Sequence, residues 1–301
     1  MNDKKNMAAS VRQRILNRAR TDERPFAELL QYYAMERFLC RLSQSEHARK
    51  FILKGALLLR AWGSEIGRPT MDIDLSGKTS NNISDIQAQI IGVIDIDLND
   101  GLAFDSKSLR VERITEEAEY NGIRARFLGY LGTARITMQI DIGFGDVVYP
   151  EPKEVELSSV LGPDHFTMLG YSRESAIAEK VDTMVKLGLV NSRMKDFHDI
   201  WLLSRNFDYT GSVLREALAQ TLQTRDTAIP PNPAAFTPPF VEQKQAQWKA
   251  YLRRMKDTTT PSSFGAIMAQ VQTFVEPVLQ SIGSSDPFEL TWKAPGPWGN
   301  T

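Results

Sequence analysis

The sequence predicts an α/β protein: a mixed β-sheet flanked by helices, with helices at its N-terminus and a mainly helical C-terminal region. Apolar residues recur at helical spacing through the first 45 residues, and an apolar–polar alternation takes over between Met71 and Ile142. Helical spacing returns after Pro150 and Pro152. At 301 residues, 42% of them hydrophobic and 24% charged, the chain can bury one sizeable core and an accessory region, and it is too apolar to stay disordered.

Val11, Ile15, Leu16 and Ala19 form one helical stripe; Leu30, Tyr33, Ala34 and Phe38 form the next. Pro25 is tolerated only near a helix start, so the second helix is expected from about residues 22–25 to Leu42. Phe51 to Leu53 reads as a short strand ending at Lys54 and Gly55, with a helix over Ala56 to Trp62. In Met71 to Leu75 the apolar Met71, Ile73 and Leu75 alternate with Asp72 and Asp74, which puts both carboxylates on one face of a strand. A helix is expected over 81–94, then strands over Leu109–Thr115, Gly122–Leu131 and Ala134–Ile142. Glycine-containing turns at Gly129 and Gly132 imply antiparallel neighbours, so the sheet is mixed. Beyond Pro152, helices are expected over Arg173–Leu187, Lys195–Asn206 and Thr210–Gln223. A proline-rich extended connector over 229–240 then leads to helices near 241–254 and 264–281. The domains expected are residues 1–160 and 161–301.

The net charge of -1 gives no whole-protein field to attract nucleic acid, so only local patches count. One candidate is the first 50 residues, rich in arginine from Arg12 to Arg49, although a solvated helical surface has the same composition. Cys40 is the single cysteine and cannot form an intrachain disulfide, and with no h-region following the polar start MNDKKN a signal peptide is not expected. No apolar run approaches the roughly 18–20 residues of a membrane span, so a cytoplasmic protein without a membrane role is expected. His47, His165 and His198 lack metal-ligand spacing, which argues against zinc.

The chemistry-bearing segment is Lys54 to Leu75: a strand-to-helix turn at Gly55, then Asp72-Ile73-Asp74 on a strand. Backbone N–H groups at such a turn can hold phosphate, and two aspartates at i and i+2 suit an octahedral Mg²⁺ completed by water and phosphates. Alone the tripeptide is a weak signal, since two solvent-facing aspartates carry no cost. Asp141 strengthens it, standing on the polar face of a neighbouring strand where it could complete a trio of carboxylates that a divalent ion would reconcile.

Four stretches, FILKGALLLRAW (51–62), RPTMDIDLSG (68–77), QIDIGFGDVVYP (139–150) and AEKVDTMVKLGLVNSRMKDFHDIWLL (178–203), together resemble the AbiEii/AbiGii toxin-type nucleotidyltransferases of the polymerase β superfamily. The resemblance spans most of the first two thirds of the chain and loosens after about residue 205. It implies a nucleotidyltransferase-like fold and a toxin encoded beside an antitoxin. The implied activity is Mg²⁺-dependent transfer of a nucleoside monophosphate from an NTP onto an acceptor, the tRNA 3′ end in related enzymes, which blocks growth in the manner of abortive infection. It also implies one or two ions held by Asp72, Asp74 and Asp141, a glycine motif at Gly55 and Ala56, and further nucleotide contacts from Lys54 and Arg68. The family's essential lysine falls on Lys180, and its later motif on Arg193, Lys195 and Asp196, with Asp199 a turn on. Many members carry Ser or Gly where Ala56 stands, so a hydroxyl contact is missing here.

By helical spacing Lys180 flanks the stripe Ile177, Val181, Met184 and Val185, where a lysine can also snorkel harmlessly; the functional expectation is that its ammonium reaches the triphosphate. Asp196 and Asp199 could equally be ordinary surface charges three apart on a helix. Two rival functions fit some of the same residues: a nucleotide- or RNA-binding module without catalysis, and a metal-dependent glycosyltransferase. The latter would need a parallel Rossmann-like sheet before the Asp-x-Asp, where this chain has two helices.

Overall fold

A computed structural model describes residues 2–63, 69–114, 122–284 and 286–300. It divides into two compact units, one comprising residues 1–145 with 153–170 and the other 146–152 with 171–301.

The first unit opens with α1 (Asn2–Thr21) and α2 (Phe26–Gln44). β1 (Phe51–Lys54) runs directly into α3 (Gly55–Ala61), followed by β2 (Ile73–Gly77) and α4 (Ile83–Ile94). β3 (Leu102–Ile114), β4 (Gly122–Leu131), β5 (Ala134–Phe144), β6 (Lys153–Ser158) and β7 (His165–Gly170) complete it. The sheet order is β3-β4-β5-β2-β1-β7-β6, with β2–β5 and β1–β7 parallel and the other pairs antiparallel. This is the expected mixed α/β sheet.

α2 is the hub of this unit, packing against β5, β7 and α4. Its stripe is wider than one face, because Gln31, Glu36 and Arg41 are buried with it. Each finds partners, as burial requires. Gln31 Nε2 donates to the carbonyls of Met71 and Thr137, Glu36 accepts from the Val160 N–H, and Arg41 forks onto Asp100 at 2.8 and 3.0 Å. Phe38 of α2 meets Phe104 and Phe127 on β3 and β4, with ring centroids 5.4–6.1 Å apart. Most of the N-terminal arginines are consumed the same way: Arg12 lies over Phe26, Arg14 donates to the Leu161 carbonyl, and Arg18, Arg24 and Arg37 pair with Asp22, Glu28 and Glu36. The arginine-rich start is therefore largely spent on internal contacts.

Gly132 lies in the β4–β5 turn, but Gly129 lies inside β4 rather than at a turn, and the structure departs from the sequence reading in four further places. Met71 is 62% exposed and precedes β2, so the strand begins at Ile73. β3 begins at Leu102, seven residues before its expected start, because a register shift between Asp105 and Arg110 breaks the alternation. β6 and β7 occupy a stretch expected to turn helical; β6 is an edge strand of the sheet and exposes most of its residues, so its apolar pattern is thin. Finally, the proline-rich stretch is extended only in part, because Pro238 and Pro239 form the first turn of a helix, where the missing N–H goes unneeded.

The second unit holds α5 (Arg173–Leu187), α6 (Met194–Asn206), α7 (Gly211–Thr224), α8 (Pro238–Met255) and α9 (Phe264–Ser281). The two-residue strands β8 (Tyr209–Thr210), β9 (Thr291–Trp292) and β10 (Trp298–Gly299) form a small sheet. Ser172 caps α5 by accepting from the Ser175 N–H. Phe197, Phe240, Trp248 and Phe264 build one aromatic core, and Tyr209, Phe274, Trp292 and Trp298 a second. Arg225 pairs with Asp146 at 2.7 Å, Asp182 at 3.0 Å and Glu179 at 3.4 Å, tying residues 146–152 to α5. Among the described residues no helix is long and apolar enough to cross a membrane.

Candidate active site

In the first unit Ile73, Leu75, Ile140 and Ile142 are fully buried, so the alternating residues Asp74 and Asp141 face the other side of the sheet. The parallel register of β2 and β5 sets Asp74 directly beside Asp141, and the antiparallel register of β1 and β2 sets Lys54 beside Asp74. Asp72 precedes β2 by one residue and stands two before Asp74. One oxygen from each of Asp72, Asp74 and Asp141 lies within 4.8 Å of the others, and all three residues are half-buried. Hard oxygen donors at this spacing fit a divalent cation such as Mg²⁺.

Neighbours hold these carboxylates in place. Thr70 Oγ1 donates to Asp72 Oδ1 at 2.5 Å. Asp141 is gripped by Arg124, whose Nε and Nη2 donate to Oδ1 and Oδ2, each at 2.8 Å, while Gln139 Nε2 reaches Oδ2 at 3.3 Å. Arg124 was not singled out in the sequence, although a signal exists. The two-residue hairpin loop at Gly132 and Thr133 fixes the β4–β5 register, and seven residues back from Leu131 and seven forward from Ala134 meet at Arg124 and Asp141.

Gly55 has φ +73°, a conformation that suits glycine, and a Cβ there would stand 2.0 Å from Asp74 Oδ2. The close approach that demands glycine is thus made by the aspartate of the neighbouring strand. Ala56 is buried, leaving its backbone as the available contact, and Lys54 is half-buried. Arg68 lies outside the described residues.

In the second unit Lys180 of α5 meets α6. Its Nζ lies 3.1 Å from Asp199 Oδ2 and 3.9 Å from Asp196 Oδ1, and its side chain is 15% exposed. Asp196 and Asp199 are buried, so the surface-charge reading of this pair is wrong: both belong to a buried ionic cluster. Arg193 Nε donates to Asp196 Oδ2 at 2.7 Å, which leaves Asp196 Oδ1 buried without a hydrogen bond. Lys195 is exposed. His198 is a core residue between the Tyr251 hydroxyl at Nδ1 and the Thr260 hydroxyl at Nε2. On the same unit an 810 Å³ groove is lined by Ser192, Met194, Gln247, Ala250, Arg253 and Arg254, with no carboxylate among them.

A family model described as "Nucleotidyl transferase AbiEii toxin, Type IV TA system" matches residues 37–270. The chain is similar in structure to a Helicobacter pylori protein assigned as a nucleotidyltransferase, with 13% identity, 86% of this chain and 97% of that one covered, and a TM-score of 0.50. It is similar to JHP933 from the same organism at 12% identity, 85% and 93% coverage and a TM-score of 0.50. At these identities the likeness carries the fold. No curated protein matches the chain.

Proposed function

Because the chain belongs to the AbiEii family of nucleotidyltransferase toxins of type IV toxin–antitoxin systems, and membership implies a nucleotide substrate and an antitoxin partner, we propose that it transfers a nucleoside monophosphate from an NTP onto RNA, with the tRNA 3′ end as acceptor. The observation that carries this reading is the trio Asp72, Asp74 and Asp141, with one oxygen of each within 4.8 Å of the others, Asp74 and Asp141 being paired by the register of two parallel strands. These three residues would hold Mg²⁺, which when bound draws charge from the phosphate oxygens. Lys54 and the backbone at Gly55 and Ala56 bind the triphosphate. The acceptor hydroxyl oxygen bonds to the α-phosphorus, the bond to the bridging oxygen breaks, and pyrophosphate leaves with the electron pair. The hydroxyl proton passes to a carboxylate of the trio, Asp141 being the candidate. Alignment of the hydroxyl with the leaving group and stabilisation of charge supply most of the acceleration, as in other phosphoryl transfers.

Within the second unit Asp196 and Asp199 fix the Lys180 ammonium beside Arg193 and the exposed Lys195, and the family resemblance is what gives Lys180 a catalytic role and Arg193 and Lys195 a nucleotide-binding one. RNA as acceptor is favoured by the surface of α8, whose exposed Lys249, Arg253 and Arg254, with Lys256 at its end, have no acidic partner among the described residues. Phosphate backbones are bound by such clusters. A test incubates the protein and Mg²⁺ with total RNA and each NTP, labelled at the α-phosphate in one series and the γ-phosphate in the other. The expected outcome is RNA carrying the α label and none of the γ label. Transfer of the γ label, or no labelled RNA with any NTP, would defeat the reading.

A further inference from the structure

Arg124 takes up more of Asp141 than a simple orienting partner needs. Its fork engages both carboxylate oxygens at 2.8 Å, and Gln139 adds a third donor on Oδ2. A carboxylate accepts about four donors, so little of Asp141 is left for a metal ion. Both side chains are more than four-fifths buried, at 16% and 18% exposure, where charges are poorly screened. On its other side Asp141 stands in register with Asp74, and its oxygen belongs to the 4.8 Å cluster. A divalent ion bound there would share one carboxylate with a guanidinium, and like charges this close in a part-buried site repel strongly.

We propose that Arg124 is a resident counter-ion of the carboxylate trio, which a divalent cation displaces from Asp141 and which then binds the triphosphate of the nucleotide. This rests on reading the trio as a cation site. The planar fork that fits a carboxylate fits a phosphate equally well, so the exchange preserves paired hydrogen bonds. The consequence is coupling: without nucleotide the cation must break the fork of Arg124 on Asp141 and binds weakly, whereas with nucleotide the guanidinium exchanges that fork for phosphate and both bind together. The competing role is a fixed support that orients Asp141 toward the metal, as partners behind metal ligands commonly do. The two roles give opposite signs on removal of the arginine.

Mn²⁺ binding, followed by the electron paramagnetic resonance of the free ion, separates them without recourse to activity. Wild type, Arg124→Gln and Asp74→Asn are titrated with and without an NTP analogue whose α,β-bridge is methylene, after thermal melts have shown that each is folded. Arg124→Gln should bind Mn²⁺ alone about tenfold more tightly than wild type, and the analogue should tighten Mn²⁺ binding about tenfold in wild type but little in the variant, a coupling of ordinary size. Should Arg124→Gln fail to fold, Arg124→Lys, which keeps the charge but loses the fork, should also tighten Mn²⁺ binding in the absence of analogue. Unchanged or weaker Mn²⁺ binding in the arginine variant, while Asp74→Asn abolishes it, would overturn the counter-ion role and leave the cation site standing. Mn²⁺ binding that ignores Asp74→Asn, or is absent even with analogue, would remove the cation site and this proposal with it.

Discussion

At the scale of single residues, Gly55 has a more specific reason to be glycine than turn chemistry supplies. Its positive φ and the space its missing Cβ leaves for Asp74 act together, so Gly55→Ala should lose at least about 1–2 kcal/mol from the backbone alone and also push Asp74 out of line. A denaturant melt together with a Mn²⁺ titration measures both effects; a variant normal in each would show that the close approach is dispensable. Lys180 is a different case, because it answers two buried carboxylates. Lys180→Ala should destabilise the protein by about 3–5 kcal/mol, the cost of stranding a buried charge, whereas Lys180→Arg should fold and isolate the effect on turnover. Equal melts for wild type and Lys180→Ala would contradict the cluster. The sequence allowed Lys180 to be placed beside the buried stripe of α5, but the burial of Asp196 and Asp199 could not be read from spacing alone. Their burial depends on how the other helices pack around α6. Arg124, in contrast, was legible through the hairpin register.

At the scale of elements, long segments with regular periodicity were readable and short or exposed ones were not. α5, β4 and the span of α9 fall where their patterns put them, because each has a continuous buried face. β6 hides behind its edge position, and the two-residue strands of the second unit are too short to carry a period. α8 carries two predictions. Reversing the exposed Arg253 and Arg254 to glutamate should leave melting within about 0.5 kcal/mol while weakening RNA binding and lowering its salt dependence by about one unit of slope for each phosphate no longer neutralised. Unaltered RNA affinity would move the acceptor surface elsewhere. Just beyond α8, burial works to raise the pKa of Asp257, but the Thr260 hydroxyl, the amide N–H groups of Thr259 and Thr260, and the Thr259 hydroxyl outweigh it, and the pKa is lowered. A carboxyl with a depressed folded pKa contributes stability that is present above its unfolded value and lost as pH falls through the folded one. The melting difference between wild type and Asp257→Asn should therefore be constant near neutrality and shrink as pH falls below the ordinary aspartate range. A difference independent of pH would contradict this.

At the scale of the whole molecule, the fold class was legible from the alternation of Met71–Leu75 and Ala134–Ile142, and strand period puts Asp74 and Asp141 on polar faces, whereas Asp72 joins them from just before β2. That β2 and β5 are neighbours was expected, but that they run parallel and in register at Asp74 and Asp141 was not legible, because that pairing joins strands separated by a helix and two other strands. It is set by the order in which buried strands fill the sheet. The division into two units likewise follows packing rather than sequence position, with residues 146–152 and 153–170 going to different units. The central claim, that the trio performs nucleotidyl transfer, is tested most directly by the single-turnover rate at which Asp74→Asn moves an α-labelled nucleotide onto RNA. Asparagine keeps the shape that fits against Gly55 and removes the charge, so the rate should fall by about 10²–10³ or more with an unchanged melting curve. A rate within a few-fold of wild type would contradict the account.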